Sequence, residues 1–167
     1  MAGAGGLSPA GRRVRDQIAA AFPDRPLVVA LSGGADSAVC AWAARESQPR
    51  ARAVTIDHGL PASPQLVAAA ASVARFLGLE HTVIAAPAAD DEDSLRRARY
   101  AALEGAATPE EIIVTAHTAD DQAETILGNI LRGAGAAGLG GMPPGRGRFL
   151  RPMLSLTRAE VRRLAFE

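Results

Sequence analysis

Five apolar residues, Leu27-Val28-Val29-Ala30-Leu31, run directly into Ser32-Gly33-Gly34-Ala35-Asp36-Ser37, and an amphipathic stretch with Val39, Cys40, Trp42 and Ala43 follows. A short apolar run that ends at small residues reads as a buried parallel strand. A strand, a glycine turn and a helix start together make a phosphate cradle. Gly33 and Gly34 let the backbone approach an anion, and the first N–H groups of the helix point at it. Ser32 and Ser37 add hydroxyl donors, and Asp36 suits a Mg²⁺ ion that rides on the phosphates. Ordinary β–α turns also use glycine and serine, so a bare Ser-Gly-Gly decides little. The whole six-residue string after a buried strand is the stronger signal.

The same letters exclude two familiar nucleotide motifs. A P-loop needs Gly-x-x-x-x-Gly-Lys-Ser/Thr, and all 18 basic residues here are arginine. A dinucleotide fingerprint needs Gly-x-Gly-x-x-Gly, which does not follow Leu31. What remains resembles the pyrophosphate loop of the N-type ATP pyrophosphatases. That resemblance implies cleavage of ATP between its α and β phosphates, with Ser32, Gly33, Gly34, Ala35, Asp36 and Ser37 holding the pyrophosphate.

At 167 residues the chain suffices for one domain with a proper core. It has no run of 18 apolar residues, and Met1–Gly6 lacks the basic and apolar regions of a secretory signal. A cytoplasmic protein with no membrane span is therefore expected. Cys40 is the only cysteine, which rules out a disulfide or thiolate zinc cluster within the chain and reads as a packed helix residue. Net charge is zero, yet residues 86–121 hold nine acids against three arginines, while residues 132–167 hold seven arginines against Glu160 and Glu167. The basic end is either a solvated surface or a face for an RNA backbone.

Residues 1–10 read as a loose leader and 11–167 as the domain. Helices are predicted over about 11–21, 35–47, 64–77, 94–103 and 118–132, and strands over 27–31, 52–56, 81–85 and 112–115. Strands alternating with helices of this length predict an α/β fold, a doubly wound parallel sheet with flanking helices. Residues 133–147 carry seven glycines and two prolines, so neither helix nor strand is expected there. Such a segment is costly to order, and Arg132, Arg146, Arg148 and Arg151 around it are candidate phosphate contacts. A helical pattern resumes at Thr157 and is still running at Glu167, which reads as truncation on the C-terminal side.

Ligands of open parallel sheets bind at the carboxyl ends of the strands. Beyond the cradle, Asp57-His58-Gly59 follows the second strand and Thr115-Ala-His117 the fourth, whereas His81 opens a strand and reads as structural. His117-Thr-Ala-Asp120-Asp121-Gln122-Ala-Glu124 puts three carboxylates at a helix start. One acid there merely complements the helix dipole. Three beside a histidine, over a triphosphate site, point to a metal or substrate role.

These features resemble the tRNA(Ile)-lysidine synthetase family. The resemblance rests on the cradle, Asp57-His58-Gly59-Leu60, Glu92…Arg96…Arg99-Tyr100, and above all Thr115-Ala-His117 through Asp120-Asp121-Gln122-Ala123-Glu124-Thr125 to Leu131-Arg132-Gly133. Gly140-Gly141-Met142 and Arg151-Pro152 with Arg158 extend it to residues 27–163. Pro61 and Leu95 depart from the pattern. The resemblance implies a ligase that uses ATP, Mg²⁺ and free L-lysine on the wobble cytidine of tRNA(Ile) with a CAU anticodon. The cytosine attacks the α-phosphate and lysine then displaces AMP to give lysidine. The resemblance implies Asp36, His58, His117, Asp121 and Arg132 as catalytic residues, with Asp36 and Asp121 as the metal pair; the two histidines and Arg132 would neutralise the α-phosphate or guide the base. The later domains by which the family grips its tRNA are absent, and oligomeric state is unassigned. Two alternatives stay open: another ATP pyrophosphatase such as a tRNA thiolase, which would want more cysteine than Cys40, and a non-catalytic nucleotide-binding module, which would not need the acids of 117–124.

Overall fold

A computed structural model describes residues 8–21, 24–86, 91–133 and 140–165. The chain runs through α1 (Pro9–Ala21), β1 (Leu27–Ala30), α2 (Ala35–Ser47), β2 (Ala51–Asp57), α3 (Ser63–Leu77) and β3 (His81–Ala85). It continues with α4 (Glu92–Ala106), β4 (Ile112–Val114), α5 (Ala119–Leu131), β5 (Gly145–Arg146), β6 (Phe149–Leu150) and α6 (Arg158–Leu164). The strands form one sheet in the order β3-β2-β1-β4-β6-β5, parallel except for β5. The doubly wound α/β fold is therefore present.

Strand alternation divides the core in two. Leu27, Val29 and Leu31 point to the face where Val14 and Ile18 of α1, the alanines of α2 and α3, and Val161 of α6 pack. Val28, Val54, Ile113 and Phe149 point to the other face, under Leu103 of α4. Small residues at 41, 43, 44, 70 and 74 let the helices approach the sheet closely, and all are buried. A two-pronged pair between Arg52 and Glu111 (both N···O distances 2.7 Å) ties β2 to the segment entering β4. Helix α5 has no buried residue, and Leu127, Ile130 and Leu131 are exposed on it. Among the described residues no helix is long and apolar enough to cross a membrane.

Two expectations need correction. The leader does not reach residue 10, because α1 opens at Pro9 with the Ser8 hydroxyl accepting from the Gly11 N–H (3.2 Å). Ser-Pro is a helix-start pair, a capping side chain followed by a residue whose fixed φ suits the first turn. Residues 1–7 of the expected leader lie outside the described residues. The glycine-rich segment also contains a strand, since Gly145–Arg146 pairs antiparallel with β6. Gly147, in the left-handed region at φ 58°, turns this hairpin. Residues 134–139 lie outside the described residues.

Candidate active site

Strand order reverses between β1 and β4, and a cleft of about 1160 Å³ opens at their carboxyl ends. That is at or above the roughly 300–1,000 Å³ usual for a site that takes one small ligand. Ser32, Gly34, Ala35, Asp36, Ser37, His58, His117, Asp121 and Arg132 all line it. Gly33 does not; it builds the turn from behind. Its φ is +86°, and a Cβ there would drive into the Leu66 carbonyl oxygen.

The cradle is held by Ser37. This buried hydroxyl donates to the Gly34 carbonyl (2.8 Å), accepts from the Ser32 N–H (3.1 Å), and meets the Ser32 hydroxyl at 3.1 Å. Ser37 is thus a brace for the turn, while Ser32 is the exposed hydroxyl. Gly34 is the N-cap of α2, and no side chain caps it. The first-turn N–H groups of α2 are left for an anion, with the helix dipole behind them.

The carboxylates meet across this turn. Asp121 closes a capping box on Thr118: its Oδ2 accepts from the Thr118 N–H (2.7 Å) and hydroxyl (2.9 Å). Its Oδ1 faces the Arg158 guanidinium at 2.9 Å, and the same guanidinium lies 3.7 Å from Asp36 and 3.5 Å from Glu124. Asp120 accepts from the Arg158 backbone N–H (2.7 Å). Arg158 therefore stands between the two carboxylates expected to hold metal. Burial raises the Asp36 carboxyl above its usual value, with Arg158 opposing. Burial also pushes Asp121 up, but the Thr118 donors, His117 and Arg158 more than offset this and leave it low. The Asp36 Oδ1 is buried without a hydrogen-bond partner. An unpartnered carboxylate oxygen beside a second carboxylate suits a hard divalent cation, which takes oxygen ligands. No group of three or more possible metal ligands gathers among the described residues, so phosphate and water would complete such a site.

His117 lies beyond β4 with Nδ1 at 2.9 Å from the Thr115 hydroxyl. Burial, then Arg151 and Arg96, lower its pKa to about 4. Burial and those guanidinium groups favour the uncharged imidazole, a form that can accept or donate a hydrogen bond to a base. His58 keeps Nδ1 buried and unpartnered at the cleft. Arg132 sits at the far end of α5, exposed, and donates to the Asn129 side-chain oxygen (3.0 Å).

Several cleft groups carry no role in the sequence reading beyond their place in a resemblance. Arg96 and Arg99 line the cleft from α4, and their spacing of three is the signal, since i and i+3 share a helix face. Gln122 holds the 140–142 segment with two bonds, Nε2 to the Met142 carbonyl (2.9 Å) and Oε1 from its N–H (2.6 Å). At Gly141 (φ +60°) a Cβ would meet the Gln122 amide at 2.6 Å, so the latch requires glycine. The Glu92 side chain lies outside the described residues. Two of the expected phosphate-binding arginines are committed elsewhere. Arg148 donates to the carbonyls of Glu104, Ala107 and Thr108 at the end of α4 (2.6–3.4 Å). Arg151 is buried, donating to the Pro143 carbonyl (2.9 Å) and the Tyr100 hydroxyl (3.1 Å). Cys40 is fully buried and burial pushes its thiol to about 12, so it supplies no nucleophile.

A model of the PP-loop domain family matches residues 8–166. The tRNA(Ile)-lysidine synthase of Leifsonia xyli subsp. xyli is 44% identical over 84% of this chain and 46% of its own length. The enzyme of the same name from Thermobifida fusca is 38% identical over 91% of this chain and 52% of its own. The chain spans about half the length of the curated relatives it matches. Among solved structures, an NH3-dependent NAD synthetase from Campylobacter jejuni superposes with a TM-score of 0.64 at 19% identity, covering 94% of this chain and 71% of that one. A glutamine-dependent NAD+ synthetase from Acinetobacter baumannii, solved with ADP, gives 0.63 at 18% identity, covering 93% and 31%. At such identities the likeness is one of fold.

Proposed function

The chain belongs to the PP-loop domain family, and from that premise we propose that it is the catalytic domain of a ligase that joins lysine to the wobble cytidine of tRNA(Ile) bearing a CAU anticodon. ATP is consumed to AMP and pyrophosphate, lysidine is the product, and the cytoplasm is the place of work. The observation that carries this reading is one cleft in which an uncapped helix start faces a carboxylate cluster. The relatives of that name cover most of this chain.

In this mechanism the pyrophosphate lies on the N–H groups of Gly34 to Ser37, with the Ser32 hydroxyl at its side. These donors sit where negative charge grows as the α–β bond breaks, so they stabilise the transition state more than the ground state. Asp36 and Asp121 would hold a magnesium ion, which supplies Lewis-acid neutralisation of phosphate charge. The cytosine O2 attacks the α-phosphate to give an adenylated base. The lysine amine then attacks C2 and AMP departs. Arg96 and Arg99 provide fixed positive charge at the cleft wall, and His117, uncharged, orients the base by hydrogen bonding. Arg132 and His58 are retained as contacts of the nucleotide or the base.

The test uses the full-length protein with a tRNA(Ile) transcript, ATP and radiolabelled lysine. Lysine incorporation with matching amounts of AMP and pyrophosphate is expected. ADP and phosphate as main products, or AMP release with no lysine in the RNA, would overturn the assignment.

A further inference from the structure

Beside the main cleft lies a second, shallower basin of about 340 Å³, which shares Arg96 and Tyr100 with it. Its wall carries Arg96, Arg97, Arg146 and Arg151 against one carboxylate, Glu104. These arginines divide into two kinds. Arg151 is buried and bonded, and Arg96 points Nη2 at the Met142 sulfur (3.5 Å) with its guanidinium 5.3 Å from the Tyr100 ring centre. Arg97 and Arg146 are exposed. Arg97 donates one bond to the Ser94 hydroxyl (2.7 Å), and the Arg146 side chain makes no hydrogen bond or ion pair among the described residues. The floor between them is Tyr100 against Phe149, ring centres 4.7 Å apart and tilted by 45°.

Arg146 owes its position to the hairpin, because its strand pairs with β6 at Phe149, the same residue that floors the basin. Two exposed guanidinium groups, Arg97 with one bond to Ser94 and Asp91 nearby and Arg146 with no side-chain partner among the described residues, therefore project from separate elements, α4 and β5, across one aromatic floor. Guanidinium forks match phosphate oxygens in geometry, and aromatic floors accept bases or riboses of unpaired nucleotides without reading sequence. The basin opens from the same cleft that takes the target base, which favours a neighbouring nucleotide over an acidic peptide, for which an aromatic floor has no use.

We propose that Arg97 and Arg146 clasp an RNA phosphodiester, seating over Tyr100 and Phe149 a nucleotide adjacent to the one being modified. This rests on the proposed function only for the identity of the RNA. The experiment compares the full-length protein with its Arg97→Ala/Arg146→Ala variant, each titrated with the CAU anticodon stem-loop, with ATP and with an acidic peptide. Stem-loop affinity at low salt is expected to fall about tenfold or more. The log–log salt slope should become shallower by about 0.7, the value for one lost single-strand phosphate contact. ATP affinity stays unchanged. Arg146→Gln alone, with half the change in slope, serves if the double variant does not fold.

Unaltered stem-loop affinity and slope would overturn the proposal, as would ATP affinity falling in step, which would place these arginines in the nucleotide pocket. Loss of peptide binding with RNA binding intact would make the partner a protein and overturn it too. If the wild type binds the stem-loop but incorporates no lysine, the proposed reaction fails while the salt slope still decides the basin. If the wild type binds no stem-loop at all, both fall.

Discussion

Helices α2 and α5 begin at adjacent positions of the same sheet, after strands that pair with one another, yet their starts are opposite in kind. At α2 the N-cap is Gly34 and no side chain satisfies the first turn. At α5 the N-cap is Thr118, and with Asp121 it completes a reciprocal capping box. Helix α6 repeats that closed form with Thr157 and Glu160. A closed start has spent its donors and presents carboxylate oxygen outward, whereas an open start keeps its donors for a ligand. The cleft places one of each face to face, donors for an anion opposite acceptors for a cation.

The most severe way to break this pairing is to discharge the bridge between the two starts. Asp36→Asn should leave the melting temperature nearly unchanged while lowering turnover by about 10²–10⁴-fold, measured as pyrophosphate release from ATP. An unchanged rate would make Asp36 an ordinary first-turn acid. Chelation of divalent cations should produce a comparable loss in the wild type.

Acid tests the closed side. His117 has a folded pKa of about 4 against 6.5 in the unfolded chain, so between those values the unfolded chain binds the extra proton. Its contribution is complete above pH 6.5 and is lost as pH falls toward 4, a loss of up to about 3 kcal/mol. Denaturant titrations at pH 7, 5.5 and 4 should show this decline, and His117→Gln should flatten it. Asp121, whose pKa is lowered, acts in a different window, below about pH 4, where protonation weakens the capping box and the Arg158 contact. A wild-type curve flat from pH 7 to 4 would remove the buried neutral imidazole.

Smaller effects sharpen the contrast. Thr118→Ala should cost about 1 kcal/mol of stability by orphaning a cap, and should weaken ATP use only as far as Asp121 loses its anchor. Gly34→Ser is the converse, a cap supplied where the chain has none. A Cβ at Gly34 meets only the Ser32 hydroxyl, at 3.7 Å, so the substitution fits. Stability should rise by a few tenths of a kcal/mol while ATP binding, measured by calorimetry, weakens. Stability and ATP affinity rising together would show that the open start is not used by the nucleotide.

Local chemistry made much of this legible before any fold was known. The Leu27–Ser37 string favours a strand, turn and helix start in immediate succession, because five apolar residues, with β-branched Val28 and Val29 among them, run straight into two glycines. The Thr118–Asp121 spacing of three is likewise a local signal, readable as a cap without reference to the rest of the chain. Ser8-Pro9 was equally local, and its start signal outweighs the loose appearance of the glycine-rich residues before it.

What required tertiary structure were the partners distant in sequence. Arg158 reaches Asp36 and Asp121 across more than thirty residues, and no periodicity reports which arginine of a basic segment will do so. Arg148 and Arg151 look like free phosphate contacts in the sequence, yet the parallel pairing of β4 with β6 carries them to the carbonyls behind α4 and to the Tyr100 hydroxyl. Residues 140–147 read as shapeless because glycine loses the most entropy on ordering, and Gln122 bonded to Met142 and Phe149 paired with Arg146 supply the long-range bonds that offset this. Identity, spacing and backbone freedom are written locally along this chain. Which charges find each other is decided by the sheet order, which places residues remote in sequence within bonding distance.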